Sequence, residues 1–117
     1  MTFAFPAGAR LRSPREFEAV LAGGRRLNEK WLTAASRANT MDHARLGLAI
    51  SARAVPRAVD RNRIKRQTRE SFRQHGAALP ALDIVLLARA GAGGAARSEL
   101  RGALERLWQK LGARDAA

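Results

Sequence analysis

A dense run of basic residues near the middle of the chain offers the clearest binding chemistry in the sequence. Between positions 53 and 73 there are eight Lys and Arg side chains but only two carboxylates, Asp60 and Glu70. Neighbouring like charges repel, and two acids cannot neutralise eight cations. Guanidinium groups bind phosphate oxygens through paired hydrogen bonds. When phosphates are neutralised in this way, the counterions condensed on the nucleic acid are released. The run therefore predicts a surface that binds a polyanion.

The same segment projects as a two-sided helix over roughly residues 57–75, between Pro56 and Gly76. Ile64, Thr68 and Phe72 share an apolar side that can dock on a sheet. The other side carries a ladder about 16 Å long, from eleven residues at ~1.5 Å each. The ladder and its extension into the preceding loop comprise Asn62, Lys65, Arg66, Arg69 and Arg73, with Arg53, Arg57, Arg61 and Arg63. The alternative is an ordinary solvated helix face.

Few other residues suggest chemistry. His43 and His75 could form the acid and base of a metal-free ribonuclease, although both also suit an exposed surface, and His75 suits a helix C-terminus. Trp31 and Trp108 could stack on bases or pack in the core. The chain has no cysteine, which excludes disulfides and cysteine-ligated zinc. Its carboxylates are scattered, without the spacing of a metal-ligand set.

Length and charge predict the number of domains and the class of partner. The 117 residues predict one domain, 1–117, with tails at 1–9 and 113–117 that can fray. The net charge is +12, and 19 of the 22 cations are Arg, which favours nucleic acid as partner, with acidic lipids as the alternative. No stretch reaches the ~18 apolar residues of a membrane span, and no signal peptide is evident. We expect no membrane partner and a cytoplasmic location.

The elements that must position the basic helix are predicted from hydrophobic periodicity and from residues that begin or end helices and strands. A helix begins at Ser13-Pro14 and ends at Gly23-Gly24. Strands are predicted over about 27–37, 45–51 and 83–88, the last being a continuous apolar run typical of a central strand. A final helix is capped by Ser98 and carries a stripe of Leu100, Leu104, Leu107 and Leu111. This order predicts an α+β fold, an α/β sandwich of one small central sheet with about three helices.

The basic block also resembles a known signature. Residues 61–73, RNRIKRQTRESFR, are similar to the signature of the bacterial ribonuclease P protein component. The resemblance extends to Arg12…Glu16-Phe17…Val20, to Arg45-Leu46-Gly47-Leu48…Ser51 and to Asp83-Ile84-Val85…Ala88-Arg89. It covers about residues 10–111.

The resemblance implies a fold like the second domain of ribosomal protein S5, with a left-handed βαβ crossover. It implies that a partner RNA cuts precursor tRNA with Mg²⁺, which the RNA mainly binds, while the protein holds that RNA and the 5′ leader. The ladder residues named above would bind ribonuclease P RNA. The leader would lie in a cleft near Arg12, Phe17, Trp31 and Ser51. No protein residue is expected to be catalytic, and DNA is not an expected partner.

The sequence departs from the family pattern at positions that bear on the leader. Leu21 stands where the first helix often has a second aromatic residue, and Ala34 is assigned to a strand position that is often aromatic. Ala52-Arg53 replaces a basic pair, and Pro56 stands near a usual glycine. Two other functions remain open on the charge alone: a ribosomal or RNA-chaperone binding module, and a nuclease that needs no RNA subunit.

Overall fold

The chain is described by a computed structural model over residues 9–116, with side chains from 9 to 112. The elements, in order, are α1 (Pro14–Gly23), β1 (Arg25–Asn28), β2 (Leu32–Ala38), β3 (Arg45–Ala49), α2 (Ala58–His75), β4 (Leu82–Ala88) and α3 (Arg97–Ala116). Short 3-10 turns at Gly76–Ala78 and Ala92–Gly94 flank β4. In these residues no helix is long and apolar enough to cross a membrane.

Helix α1 begins with the predicted capping box. Ser13 Oγ accepts from the Glu16 N–H at 3.2 Å, and Glu16 Oε1 accepts from the Ser13 N–H at 3.1 Å. At the other end, the Gly24 N–H donates to the Val20 carbonyl at 2.8 Å. A Cβ on Gly24 would lie 2.5 Å from the Ser36 carbonyl oxygen. Glycine is required there because the helix end lies directly against β2.

The single strand predicted over 27–37 is wrong. The segment forms two antiparallel strands, β1 and β2, paired with Leu27 opposite Ala34. A turn separates them, in which the Glu29 N–H donates to the Leu32 carbonyl at 2.8 Å. The Glu29 carboxylate is held at 2.8 Å by Arg106 and at 2.7 Å by Lys110, both on α3. The turn therefore depends on a tertiary contact that strand propensity does not reveal.

The four strands form one sheet in the order β1-β2-β4-β3, in which only the β3–β4 pair is parallel. Helices cover both faces. The larger core lies between the sheet and the pair α2 and α3, and the smaller one lies beneath α1. Strand β4 is buried on both faces, as its apolar run predicts: Ile84 and Leu86 face the larger core and Val85 the smaller. The predicted α+β class is confirmed.

The crossover from β3 through α2 to β4 is left-handed. The Asn39 N–H donates to the Ala81 carbonyl, and the Arg89 N–H donates to the Trp31 carbonyl. The main-chain hydrogen bonds of odd-numbered β4 residues therefore point towards β2, and those of even-numbered residues point towards β3. The even-numbered side chains, such as Leu86, face α2. Viewed from α2 with β4 pointing upward, these even-numbered side chains face the viewer. In L-residues oriented in this way, the N–H and C=O groups point to the right. Strand β3 therefore lies to the right of β4. The chain crosses from right to left through α2, which makes the crossover left-handed, whereas such crossovers are usually right-handed.

Helix α3 buries the predicted leucine stripe but starts differently from the prediction. Leu100, Leu104, Leu107 and Leu111 are all buried in the larger core. Ser98 is not the cap, because it lies inside the first turn and is exposed. The Glu99 carboxylate instead accepts from the Ala96 N–H at 2.8 Å, which satisfies a free donor and suits the helix dipole.

The prediction of short tails concerns residues that are mostly outside this description. Residues 1–8 and 117 lie outside the described residues, and of 113–116 only the helical backbone is described. Ala9 is described and is fully buried in the larger core. The single-domain boundaries 1–117 stay a prediction.

Candidate nucleic-acid interface

Helix α2 has the two sides that its sequence predicts. Ile64, Thr68 and Phe72 are at most 1% exposed. Thr68 Oγ1 donates to the Ile64 carbonyl at 2.8 Å, which satisfies the hydroxyl inside the core. Phe72 meets Trp108 of α3 edge to face, with ring centroids 5.7 Å apart. These contacts fix the rotation of α2 about its axis and so decide which side chains it presents to solvent.

The solvent side is a shallow trough that we call the outer face, lined by Asn62, Lys65, Arg66, Arg69, Glu70 and Arg73. Asn62, Arg66 and Arg69 are exposed. Glu70 accepts a hydrogen bond from Arg73. Within the described residues, no carboxylate lies within 4 Å of the charged groups of Lys65, Arg66 or Arg69. The outer face therefore carries cations that a polyanion can neutralise without breaking existing ion pairs.

Besides Arg73, three of the predicted RNA-binding arginines contact loop carbonyls or a carboxylate of the protein itself. Arg61 donates to the carbonyls of Val55 and Pro56, at 2.9 and 2.8 Å. Arg63 donates to the Gly93 carbonyl at 2.9 Å. Arg57 Nε lies 3.9 Å from the Asp60 carboxylate. A guanidinium has five N–H donors, so each of these side chains keeps donors for phosphate. Arg53, in the same loop, is exposed.

A second surface lies beside α1, on the sheet face opposite α2. We call it the α1 cleft, defined by Phe17, Gly47, Ala49 and Leu87. The Phe17 ring lies directly over Gly47, since a Cβ there would be 2.6 Å from Phe17 Cζ. Phe17, Ala49 and Leu87 are only partly buried, so α1 leaves part of this apolar sheet face open. Leu21 packs at the same cluster.

The loop from β3 to α2 joins the α1 cleft to the outer face. Ser51 is exposed at its start, where its Oγ accepts from the Ala54 N–H at 3.1 Å and its carbonyl accepts from Val55 at 2.9 Å. Arg12 is exposed just before α1, and its N–H donates to Glu16 at 3.0 Å. Arg12 and Phe17 therefore lie together at α1, while Ser51 lies in the loop after β3, and its role beside the cleft stays a prediction.

The placement of Trp31 in this cleft is wrong. Trp31 packs against the larger core, on the side of α2 and α3, and its ring lies 3.2 Å from the position of a Cβ on Gly91. It precedes β2, where strand alternation does not fix its side. Ala34 is fully buried in the same larger core. It is therefore not a position of the α1 cleft.

An ion network that the sequence prediction missed attaches α1 to the sheet. Arg45 of β3 donates two 2.8 Å hydrogen bonds to the Asp83 carboxylate of β4 and one of 2.9 Å to Glu16 of α1. Asp83 above all, with Glu16, raises the pKa of Arg45. The signal was present in the sequence: Arg45 and Asp83 are charged residues at the starts of two apolar strands.

Main-chain contacts hold Glu16 in its charged form. The N–H groups of Arg12 and then Ser13, with the Arg45 guanidinium, lower the pKa of Glu16 from 4.5 to about 2. Glu16 therefore caps the helix and anchors it at once, and it lies next to Phe17 in the chain. Together with the packing of Val20, this carboxylate attaches α1 to the sheet.

The two histidines lie on different elements with separate partners. His43 lies in the β2–β3 loop with its Nδ1 2.8 Å from Asp42, and His75 ends α2 with its Nε2 4.0 Å from Glu105. The structure does not bring them together as an acid–base pair. In the described part of the chain, no group of three or more His, Asp or Glu could hold a metal ion. Trp108 is buried, and its Nε1 donates to Ser71 Oγ at 2.8 Å, so it is a packing residue.

Comparison with known proteins agrees with this geometry. A family model described as Ribonuclease P matches residues 5–112. The ribonuclease P protein component of Thioalkalivibrio sulfidiphilus is 43% identical over 107 residues, covering 92% of this chain and 89% of the relative. That of Methylococcus capsulatus is 45% identical over 106 residues, covering 91% and 83%.

A solved structure shares the architecture. The Staphylococcus aureus RNase P protein superposes with a TM-score of 0.82 at 28% identity, over 89% of this chain and 97% of that one. Sequence and fold therefore agree over nearly the whole length. The chain belongs to the ribonuclease P protein component family.

Proposed function

We propose that this chain is the protein subunit of a ribonuclease P whose RNA subunit carries the chemistry. It binds that RNA through the outer face of α2 and supports endonucleolytic removal of the 5′ leader from precursor tRNA. The observation that carries the proposal is the two-sided α2 helix: Phe72 and Ile64 fix it to the sheet, while Arg66 and Arg69 face solvent without acidic partners among the described residues.

The leader of precursor tRNA is proposed to lie in the α1 cleft. Its floor combines an aromatic ring, Phe17, with the apolar side chains of Ala49 and Leu87. Bases stack on such surfaces with little dependence on sequence, at ~1–3 kcal/mol per base. The Ser51 loop connects this floor to the start of α2, so one strand can pass from the cleft to the RNA bound by the outer face.

Mg²⁺ is proposed as an ion that the RNA holds, because the protein face around α2 does not fit it. Mg²⁺ prefers carboxylate and phosphate oxygens in octahedral geometry. Between residues 53 and 73 there are two carboxylates: Asp60 lies 3.9 Å from Arg57 Nε, and Glu70 accepts a hydrogen bond from Arg73. Phosphates of the bound RNA supply the missing oxygens. A cytoplasmic location is part of the same proposal.

Reconstitution tests this function. The purified protein is mixed with bacterial ribonuclease P RNA and a precursor tRNA at low Mg²⁺, and leader cleavage is followed on a gel. We expect cleavage only when protein and RNA are both present. Cleavage by the protein alone would support a protein-only nuclease, and no stimulation of the RNA would overturn the proposal. Crosslinks to ribosomal RNA in place of ribonuclease P RNA would indicate a binding module of another kind.

Arg66→Ala tests the outer face itself. One lost phosphate contact should reduce the slope of log K against log salt by about one. The matched control is Arg37→Ala, which removes an exposed arginine from β2, remote from α2. An unchanged slope for Arg66→Ala would show that Arg66 faces solvent in the complex. An equal change for Arg37→Ala would show that the slope does not distinguish the outer face from other exposed cations.

A further inference from the structure

A depression lies between α2 and α3, next to the outer face and on the opposite side of the sheet from the α1 cleft. We call it the α2–α3 groove, and its volume is about 830 Å³. Volumes of roughly 300–1,000 Å³ hold small ligands, so the groove has room for more than a single phosphate. Its lining residues are Arg63, Arg66, Gln67, Glu70, Ser71, Gln74, Arg97, Arg101, Leu104 and Glu105.

The charges in the groove are divided between its two ends. Arg97 and Arg101, from the first turns of α3, lie with Arg63 and Arg66 of α2. The two acids lie further along both helices and have partners there: Glu70 accepts from Arg73, and Glu105 lies 4.0 Å from His75. Within the described residues, Arg66, Arg97 and Arg101 have no carboxylate within 4 Å. The end near the start of α3 therefore carries four guanidinium groups, and no carboxylate of the described residues lies within 4 Å of any of them.

The walls of this basic end are held in place by the protein's own contacts. Gln67 Nε2 donates to the Arg97 carbonyl at 2.7 Å and so ties α2 to the first turn of α3. Arg63 donates to the Gly93 carbonyl at 2.9 Å, just before α3. Leu104 is buried at the base of the groove. Pre-formed walls reduce the entropy cost of binding.

We propose that the basic end of the α2–α3 groove binds a second phosphodiester segment of RNA, distinct from the one on the outer face. The inference rests on the proposed function, because the RNA concerned is that of ribonuclease P. Arg66 lines both the groove and the outer face and so forms the ridge between them. An RNA fold with two strands side by side would straddle α2, with one strand on each side of Arg66.

Charge complementarity selects this occupant. Four guanidinium groups from two elements match a phosphate backbone, which offers regularly spaced anions and accepts bidentate hydrogen bonds. An acidic protein segment has the same sign of charge but would not require the ribonuclease P RNA. It is treated as an outcome of the test.

The test compares variants that lose two arginines each. Arg97→Gln with Arg101→Gln removes the α3 side of the groove and leaves the outer face intact. Arg25→Gln with Arg37→Gln removes two exposed arginines from β1 and β2 and serves as the matched control. All four side chains are exposed, so both variants should melt close to the wild type. Binding to ribonuclease P RNA is measured at several salt concentrations.

We expect the groove variant to lower the salt slope by roughly 1.5, since each lost phosphate contact contributes about 0.7–0.9. The control variant should change it little. An unchanged slope in the groove variant overturns the inference, as does an equal change in the control. Arg69→Gln, on the outer face alone, separates the two proposals: if it lowers the slope and the groove variant does not, the proposed function stands and the groove inference fails.

A second measurement does not depend on removing arginines. Because the chain has no cysteine, Ser98→Cys gives a single attachment point beside Arg97 for an RNA-cleaving probe. Ser98 is exposed on the first turn of α3. We expect cuts in one discrete segment of the ribonuclease P RNA, different from the segment cut by a probe at Asn62→Cys. The absence of cuts from position 98 in a complex that position 62 does cut would overturn the inference, and an acidic protein segment would then be tested as the occupant.

Discussion

Glu16→Gln is the substitution that best tests how α1 is held over its cleft. Gln keeps the size of the side chain and one acceptor oxygen but removes the charge. In the wild type the carboxylate accepts from the N–H groups of Arg12 and Ser13 and from Arg45 Nη1. The variant keeps at most part of these contacts, and all of them are weaker because they are no longer charge-assisted.

The size of the effect follows from the pKa. The pKa of Glu16 falls from 4.5 to about 2, and each pKa unit corresponds to about 1.4 kcal/mol. The unscreened stabilisation is thus at most ~3.4 kcal/mol. The side chain is 32% exposed, so solvent screening reduces this to about 1–2 kcal/mol. We expect Glu16→Gln to lower the free energy of unfolding by this amount at neutral pH.

The pH dependence gives the sharper assay. The folded-state pKa is depressed, so the stabilisation is complete above the unfolded value of 4.5 and is lost as the pH falls through about 2. Urea denaturation of both proteins between pH 7 and pH 2 measures the difference in unfolding free energy. Other carboxylates contribute equally to both proteins, so the difference isolates Glu16. It should be constant from pH 7 to about 5 and shrink steadily below that.

Glu18→Gln is the matched control, since Glu18 is exposed on the same helix and none of the described contacts involves it. Its effect should stay within about 0.5 kcal/mol at every pH. If Glu16→Gln differed from the wild type by the same amount at pH 7 and pH 2, the effect would come from packing, and the electrostatic account would be refuted.

Three more substitutions probe the packing on either side of the sheet. Phe72→Ala empties a fully buried site and should cost about 3–5 kcal/mol in urea denaturation; a loss below 1 kcal/mol would mean that α2 does not depend on this anchor. Gly47→Ala places a Cβ 2.6 Å from Phe17 Cζ. This overpacking should lower the free energy of unfolding by about 1–3 kcal/mol and slow leader cleavage in the reconstituted enzyme. An unchanged melting temperature would contradict the close contact. Trp108→Phe keeps an aromatic side chain but removes the pyrrole part of the indole and its hydrogen bond to Ser71. The lost hydrogen bond should cost about 1 kcal/mol, and the smaller buried side chain adds to this loss. No loss in thermal denaturation would show that neither the hydrogen bond nor the volume of the indole stabilises the fold.

The sequence by itself determined the elements whose signals are local. The Ser13–Glu16 capping box, the leucine stripe of α3 and the two sides of α2 follow from residues within a few turns of one another, and the structure contains all three. Periodicity alone separates Ile64 and Phe72 from Arg66 and Arg69, because a helix with an apolar stripe can bury only that side. The candidate RNA-binding face was therefore accessible without coordinates.

The tertiary structure decided what depends on contacts between distant residues. The turn that separates β1 from β2 is held by Arg106 and Lys110 on α3, more than seventy residues away. Trp31 lies outside the regular alternation of β2, so no period could assign it to a face, and its predicted place in the cleft was wrong. The α2–α3 groove depends on contacts that set the two helices side by side, such as those of Phe72 and Ser71 with Trp108. The basic block thus defines one surface in the sequence, but only packing shows that Arg66 borders two.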